Sequence, residues 1–304
     1  MRVEKVGDQI HIIDLEPAGI KNFAASYVLK GDKAAIVETG PASTAKNLTL
    51  GLEKLDVEPE EVAYVAVSHI HLDHAGAAGT LLKHLPQAKL IVHPRGASHM
   101  ADPEMLWTKS KEALGELAEL YGKPMPVPKE RIIAAADGIT FDIGNKIRLR
   151  AIESLGHASH HLAYHESPGL GIFPGDAAGI YLNKLDAIVP TTPAPYRLDI
   201  AAASLKKLIS LKPKALYYSH FGKASSPKEK LQAYSKQLRI WEDCARQGIE
   251  NGENIQAIGT RIIESDKTLQ RVEAQLKRHA ILGQTVLNQS VEGVVEYVRS
   301  QMKL

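Results

Sequence analysis

The stretch Ser68-His69-Ile70-His71-Leu72-Asp73-His74-Ala75-Gly76-Ala77-Ala78-Gly79 decides how the rest of this chain is read. His69, His71, Asp73 and His74 crowd into a few positions, and imidazole with carboxylate suits borderline cations such as zinc, iron and manganese. The stretch follows Val62-Ala63-Tyr64-Val65-Ala66-Val67, an apolar run that reads as a buried strand. Leaving the sheet edge in extended form, the chain would point His69, His71 and Asp73 one way and Ile70 and Leu72 the other. His74 opens a glycine- and alanine-rich segment, where small residues let backbone pass close to an ion. The bland alternative is a polar loop with chance histidines. A pattern H-x-H-x-D-H at a strand end, followed by small residues, argues against it.

Further residues of ligand type recur at expected strand ends. Gly156-His157 begins GHASHH after the strand Ile147–Ile152, Asp176 terminates GLGIFPGD, and His220 closes Ala215-Leu216-Tyr217-Tyr218-Ser219. With these motifs the chain resembles the metallo-β-lactamase superfamily from its N-terminus to His220, in the family's usual motif order. The resemblance implies an αββα sandwich, and it is with the glyoxalase II-like and lactonase-like branch that the comparison is drawn. It assigns His69, His71 and His157 to one metal and Asp73, His74 and His220 to the other, with Asp176 bridging. It implies two divalent ions, zinc foremost with iron or manganese as alternatives. A hydroxide held between them would attack the substrate, with Asp73 guiding it and moving a proton. His161 is the second histidine of the family's G-H-x-x-x-H pattern, where it orients a ligand. His160 beside it reads as a rim residue. Tyr181 and Tyr196 follow the bridging aspartate and are candidates for contact with a substrate carbonyl. Lactonases of this fold carry their tyrosine three residues after the aspartate, where this chain has Gly179. Glu38-Thr39-Gly40 stands where the family usually shows Asp-Thr-Gly; the glutamate keeps the charge and adds a methylene.

The full histidine set favours hydrolysis of a carboxylic ester-like bond, a thioester or a lactone. It disfavours the flavodiiron branch, in which glutamate replaces the second histidine. Phe221-Gly222 after His220 lacks the aromatic hydroxyl that glyoxalase II offers to glutathione. Two alternatives stay open: a phosphodiesterase or nuclease on the same metal pair, and a mononuclear iron persulfide dioxygenase. His99 falls outside the ligand set, and Cys244 reads as a buried structural residue.

A chain of 304 residues is one large domain or two ordinary ones, and 44% hydrophobic with 24% charged residues is a soluble globular composition. A net charge of +2 without a basic run makes a small-molecule substrate the expected partner and nucleic acid an unexpected one. A single cysteine excludes an intramolecular disulfide. No apolar run of about 18 residues suggests a membrane span, and the chain opens on a strand pattern, so a cytoplasmic protein is expected.

Strands alternate with helices up to residue 224, giving α/β, and an all-helical region follows. We therefore expect a catalytic domain over 1–224 and a helical region over 225–304. Residues 94–131 interrupt the pattern with a helical stretch, Pro103 to Tyr121, that reads as a covering helix or a pocket lid. Ile180 to Tyr196 reads as loop, and Asp199 as the cap of the next helix. Ser226-Pro227-Lys228-Glu229 has the form of a capping box. Beyond it Leu231, Tyr234, Leu238, Trp241 and Ala245 form an apolar stripe, and Ser290 is expected to cap a last, valine-rich helix. These stripes must dock on the same chain or on a second one, and a homodimer through Trp241 or the last helix is the expectation.

Overall fold

Ala34–Val37 is buried at every position, as expected of a strand covered on both faces. It lies inside a seven-stranded sheet whose spatial order is the chain order. The computed structural model describes residues 1–302, with residues 284 and 285 described by their backbone alone. The strands are β1 (Val3–Lys5), β2 (Ile10–Asp14), β3 (Ala25–Lys30), β4 (Ala34–Val37), β5 (Val62–Ala66), β6 (Lys89–Val92) and β7 (Ile132–Ala134). The first four form an antiparallel meander. From β4 onward the pairing is parallel, so each connection must cross over and carries helix. These are α1 (Ala45–Lys54), then α2 (Leu72–Ala75) and α3 (Ala78–His84), then α4 (Pro94–Ala101), α5 (Glu104–Leu114) and α6 (Glu116–Tyr121). The expected single stretch from Pro103 to Tyr121 is two helices, broken where Gly115 takes φ 55°. The Arg131 guanidinium closes the end of α3, donating to the Leu82 carbonyl at 2.6 Å and the Ala88 carbonyl at 3.0 Å.

The second sheet begins with β8 (Thr140–Gly144) and β9 (Ile147–Glu153). Here Phe141, Ile143, Ile147 and Leu149 are buried while Asp142 and Arg148 face outward, the period-two pattern of a sheet with one covered face. It continues through β10 (Leu162–Ser167) and β11 (Gly171–Phe173). A separate hairpin follows, β12 (Ile180–Leu182) and β13 (Ala187–Val189), and then α7 (Leu198–Ser210). β14 (Ala215–Tyr218) returns to pair in parallel with β11, and β15 (Gly222–Ala224) closes the edge. The two large sheets share one core, in which Tyr27, Leu29 and Val37 meet Leu149, Leu162, Tyr164 and Phe173. Two buried phenols cross it. Tyr164 donates to the Val67 carbonyl at 2.8 Å and Tyr27 to the Tyr218 carbonyl at 2.7 Å. Each bond holds the root of a loop that carries histidines, at a net gain of about 1 kcal/mol.

Two compact units result. One comprises Met1–Glu153, His160–Gly175 and Pro213–Ser225; the other comprises Ser154–Ser159, Asp176–Lys212 and Ser226–Leu304. The second therefore takes in two internal segments besides the helical region expected after 224. Its helices are α7, α8 (Pro227–Glu250), α9 (Ile255–Ser265), α10 (Lys267–Arg278) and α11 (Leu287–Met302). The expected stripe on α8 is buried, and Trp241 donates to Asp266 Oδ2 at 2.9 Å. Trp241 and the valines Val291, Val294 and Val298 are thus covered within the chain itself.

Several local expectations need correction. Ile180–Tyr196 is not wholly loop, since it contains the β12–β13 hairpin. Asp199 lies inside the first turn of α7, paired with Arg197 at 2.9 Å, and Arg197 takes the cap position. Ser226 precedes α8 in a left-handed conformation with no side-chain capping bond, so the box does not close; Pro227 does occupy the first turn. Ser290 sits within α11, not at its start.

Candidate metal centre

The histidine motif leaves β5 as the sequence predicts, but the extended stretch is shorter than expected. His71 is already the N-cap of α2, so Asp73 and His74 lie on a helical turn. Leu72 and Ile70 are buried as anchors, at 1% and 3% exposure. Of the ligand-type residues in the first unit, His69, His74 and His220 are buried, while Asp73 is partly exposed at 23% of its side chain.

Three of these residues converge. Asp73, His74 and His220 each offer a ligand atom, all within 4.8 Å of one another. His220 Nδ1 faces the Phe23 carbonyl at 2.7 Å. A carbonyl only accepts, so this nitrogen carries a proton, and in the neutral ring Nε2 carries the lone pair. His74 Nδ1 lies 3.3 Å from Glu38 Oε1, which sets the same tautomer. The two Nε2 atoms then face each other at 3.2 Å, with Asp73 Oδ2 at 3.4 Å from that of His220. Two lone pairs and a carboxylate oxygen at this separation repel unless a cation or a shared proton lies between them. The donor set therefore fits a divalent ion of the zinc type, with the backing contacts that ligating histidines usually have. His69 Nε2 and His71 Nδ1 meet at 2.8 Å, and His69 Nδ1 is 2.9 Å from the Ser68 hydroxyl.

The second unit holds a matching pair. His157 Nδ1 faces the Thr191 carbonyl at 3.0 Å, so in the neutral ring Nε2 carries the lone pair, and that atom lies 3.5 Å from Asp176 Oδ2. Both residues are buried.

Glu38 is the residue that sequence reasoning underweighted. It is 2% exposed, at φ 67°, and accepts from the Ser68 N–H at 3.3 Å and the Ser219 hydroxyl at 3.0 Å. One carboxylate thus joins the ends of β4, β5 and β14 behind His74. The added methylene of glutamate gives it that reach. The signal was present in Glu38-Thr39-Gly40, but the serine partners could not be read from it.

The remaining candidates fall into two groups. His161 is fully buried and its ring stacks on His69 with centroids 5.0 Å apart, so it backs that ring by packing. Gly175, at φ 52°, makes room beside it, since a Cβ there would come 2.6 Å from His161 Nε2. His160 is half-buried and lies edge-on to His71 at 5.8 Å. Tyr181 and Tyr196 are buried in the second unit with their hydroxyls engaged. Tyr181 donates to Asp186 Oδ1 at 2.7 Å, and burial followed by that bond holds the phenol well above its ordinary range. Tyr196 hydrogen-bonds Tyr234, and burial raises its phenol likewise. Cys244 is buried, as expected. Among the described residues no helix is long and apolar enough to cross a membrane.

Comparison with known proteins gives the fold and the family. The chain is 29% identical over 221 residues to the metallo-beta-lactamase fold-containing protein ST1585 of Sulfurisphaera tokodaii, covering 71% of this chain and 79% of that one. It is 23% identical over 244 residues to the protein named Probable metallo-hydrolase YqjP of Bacillus subtilis, covering 72% and 74%. The crystal structure of ST1585 superposes with a TM-score of 0.69 at 23% identity, over 97% of this chain and all of that one. That of the metallo-beta-lactamase family protein TTHA1429 from Thermus thermophilus gives 0.72 at 18% identity, over 98% and 95%. The model of the metallo-beta-lactamase superfamily matches residues 20–220, the span that carries every one of these histidines and both carboxylates, and the chain belongs to that superfamily.

Proposed function

We propose that this protein is a metal-dependent hydrolase of a carboxylic ester-like bond, a thioester or a lactone. Its proposed ligands are His69, His71 and His157 for one divalent ion and Asp73, His74 and His220 for the other, with Asp176 shared. The observation that carries the reading is the convergence of His74 Nε2, His220 Nε2 and the Asp73 carboxylate, each ring fixed from behind in the ligating tautomer. Bound ions of this type supply Lewis acidity and lower the pKa of water toward neutrality.

The chain's own residues do the rest. Asp73 is the carboxylate of its cluster that water reaches, whereas His74 and His220 are nearly sealed. It is placed to accept a proton from an attacking water and return it to the leaving group. Glu38, the Phe23 carbonyl and the Thr191 carbonyl keep three rings from turning. Tyr181 and Tyr196 spend their hydroxyls inside the protein, which favours packing roles over substrate contact.

Metal analysis of purified, replete protein should find about two ions per chain. Kinetics on thioesters, lactones and bis-p-nitrophenyl phosphate should show turnover of the first or second class. Asp73→Ala should then lower kcat by about 10²–10⁴-fold, and Tyr181→Phe far less. One ion per chain, unchanged by His220→Ala, would defeat the two-metal reading in favour of mononuclear iron chemistry. Turnover of the phosphodiester alone would assign the site to phosphoryl transfer.

A further inference from the structure

The contact that fixes the His157 ring is itself held from the far end of the chain. The Thr191 carbonyl oxygen lies 3.0 Å from His157 Nδ1. The adjoining Thr192 is fully buried; its N–H donates to Ser290 Oγ at 3.1 Å, and its hydroxyl donates to the Ser290 carbonyl at 2.7 Å. Ser290 Oγ also lies 2.6 Å from the Val286 carbonyl, just before α11, and 3.3 Å from the Pro190 carbonyl. One turn further on, α11 presents Gly293. A Cβ there would fall 1.9 Å from the Thr192 carbonyl oxygen and 2.8 Å from Ala194 N, so glycine alone lets the helix approach this closely. Tyr234 of α8 hydrogen-bonds the Thr191 backbone. All of these residues belong to the second unit.

A serine inside a helix, among Val291, Val294 and Val295, has no role in packing that alanine would not fill. Its hydroxyl is what Thr192 N–H donates to, while the Thr192 hydroxyl meets the Ser290 main-chain carbonyl. We propose that Ser290 and Thr192 are positioning residues for His157: α11 holds the Pro190–Pro195 segment so that the Thr191 carbonyl keeps the His157 ring in the tautomer that ligates through Nε2. This rests on the reading of His157 as a metal ligand. A shift of that carbonyl by about 1 Å would break the bond, and loss of such a backing partner typically costs about 10–100-fold in metal affinity. The C-terminal helix then acts on the site through one hydrogen-bonded relay, besides covering its own apolar stripe.

The test uses full-length protein stripped by chelator and titrated with zinc alone against a chromophoric competitor. Ser290→Ala and Thr192→Val should each weaken one of the two binding steps about tenfold and leave the other unchanged. Thr192→Ser, which keeps the hydroxyl, should restore both. Ring ¹⁵N spectra of the stripped protein should show the His157 Nδ1–H signal altered in Thr192→Val and native in Thr192→Ser. If α11 serves stability alone, the variants will melt earlier while both zinc constants and the ring signal stay native, and the proposal falls. His157→Ala separates the two failures. Full zinc binding by that variant would remove the ligand reading and the relay together. Loss of one step in His157→Ala, with both steps kept in Thr192→Val, would leave the ligand and remove the relay. Should Ser290→Ala not fold, the Thr192 pair decides.

Discussion

Glu38 takes a left-handed backbone conformation that a non-glycine side chain adopts at some cost. Its compensation is a carboxylate that meets the Ser68 N–H, the Ser219 hydroxyl and His74 Nδ1 inside the protein. Glu38→Gln keeps the shape but turns one acceptor into a donor facing other donors. It should weaken zinc binding about 10–100-fold, measured by chelator competition, and lower stability by about 1–3 kcal/mol through groups left unsatisfied. Unchanged zinc affinity would show that His74 needs no such backing. At this scale the sequence was a good guide to which residue types matter and a poor one to their partners. The motif Glu38-Thr39-Gly40 marked the position, yet the serines that meet Glu38 come from distant points in the chain. Tyr181 shows the converse. Its place after Asp176 suggested substrate contact, and only the fold turns its hydroxyl to Asp186.

Helices and strands followed from periodicity, while their ends did not. The stripe on α8 was legible because Leu231, Tyr234, Leu238, Trp241 and Ala245 recur at three and four. Ser226 and Ser290 both looked like caps, and neither is one, because capping depends on backbone dihedrals that composition does not specify. A cap that does form is Asp266. Its Oδ1 accepts from the N–H groups of Thr268 and Leu269 at 2.9 and 3.2 Å, while Oδ2 accepts from Trp241 and Gln237 at 2.9 and 2.7 Å. One buried side chain thus starts α10 and locks it to α8. Asp266→Ala should remove a cap worth about 1 kcal/mol and strand two buried donors at about 1–3 kcal/mol more. The expected reading is a thermal midpoint several degrees lower by circular dichroism; a midpoint equal to wild type would show that the cluster is not cooperative.

For the molecule as a whole, metal and fold are linked if the proposed ligands hold ions, because the donors that repel one another in the stripped protein are neutralised when loaded. Zinc at about 1,000 times its dissociation constant should add about 4 kcal/mol per site against unfolding. Calorimetry with and without chelator reads this directly, and identical midpoints would contradict binding at these residues. The sequence by itself determined the family, the α/β character, the all-helical C-terminal region and the histidines and carboxylates, since each rests on residue type at short spacing or on periodicity. The tertiary structure alone decided that Ser154–Ser159 and Asp176–Lys212 fold with the C-terminal helices and that the apolar stripes are covered within one chain. It alone placed Glu38, Thr191 and the Phe23 carbonyl behind His74, His157 and His220. The physical reason is range. Ligand identity and hydrophobic period are local properties of the chain, whereas the orientation of an imidazole is set by whichever acceptor lies behind it, and folding brings that acceptor from far away in sequence.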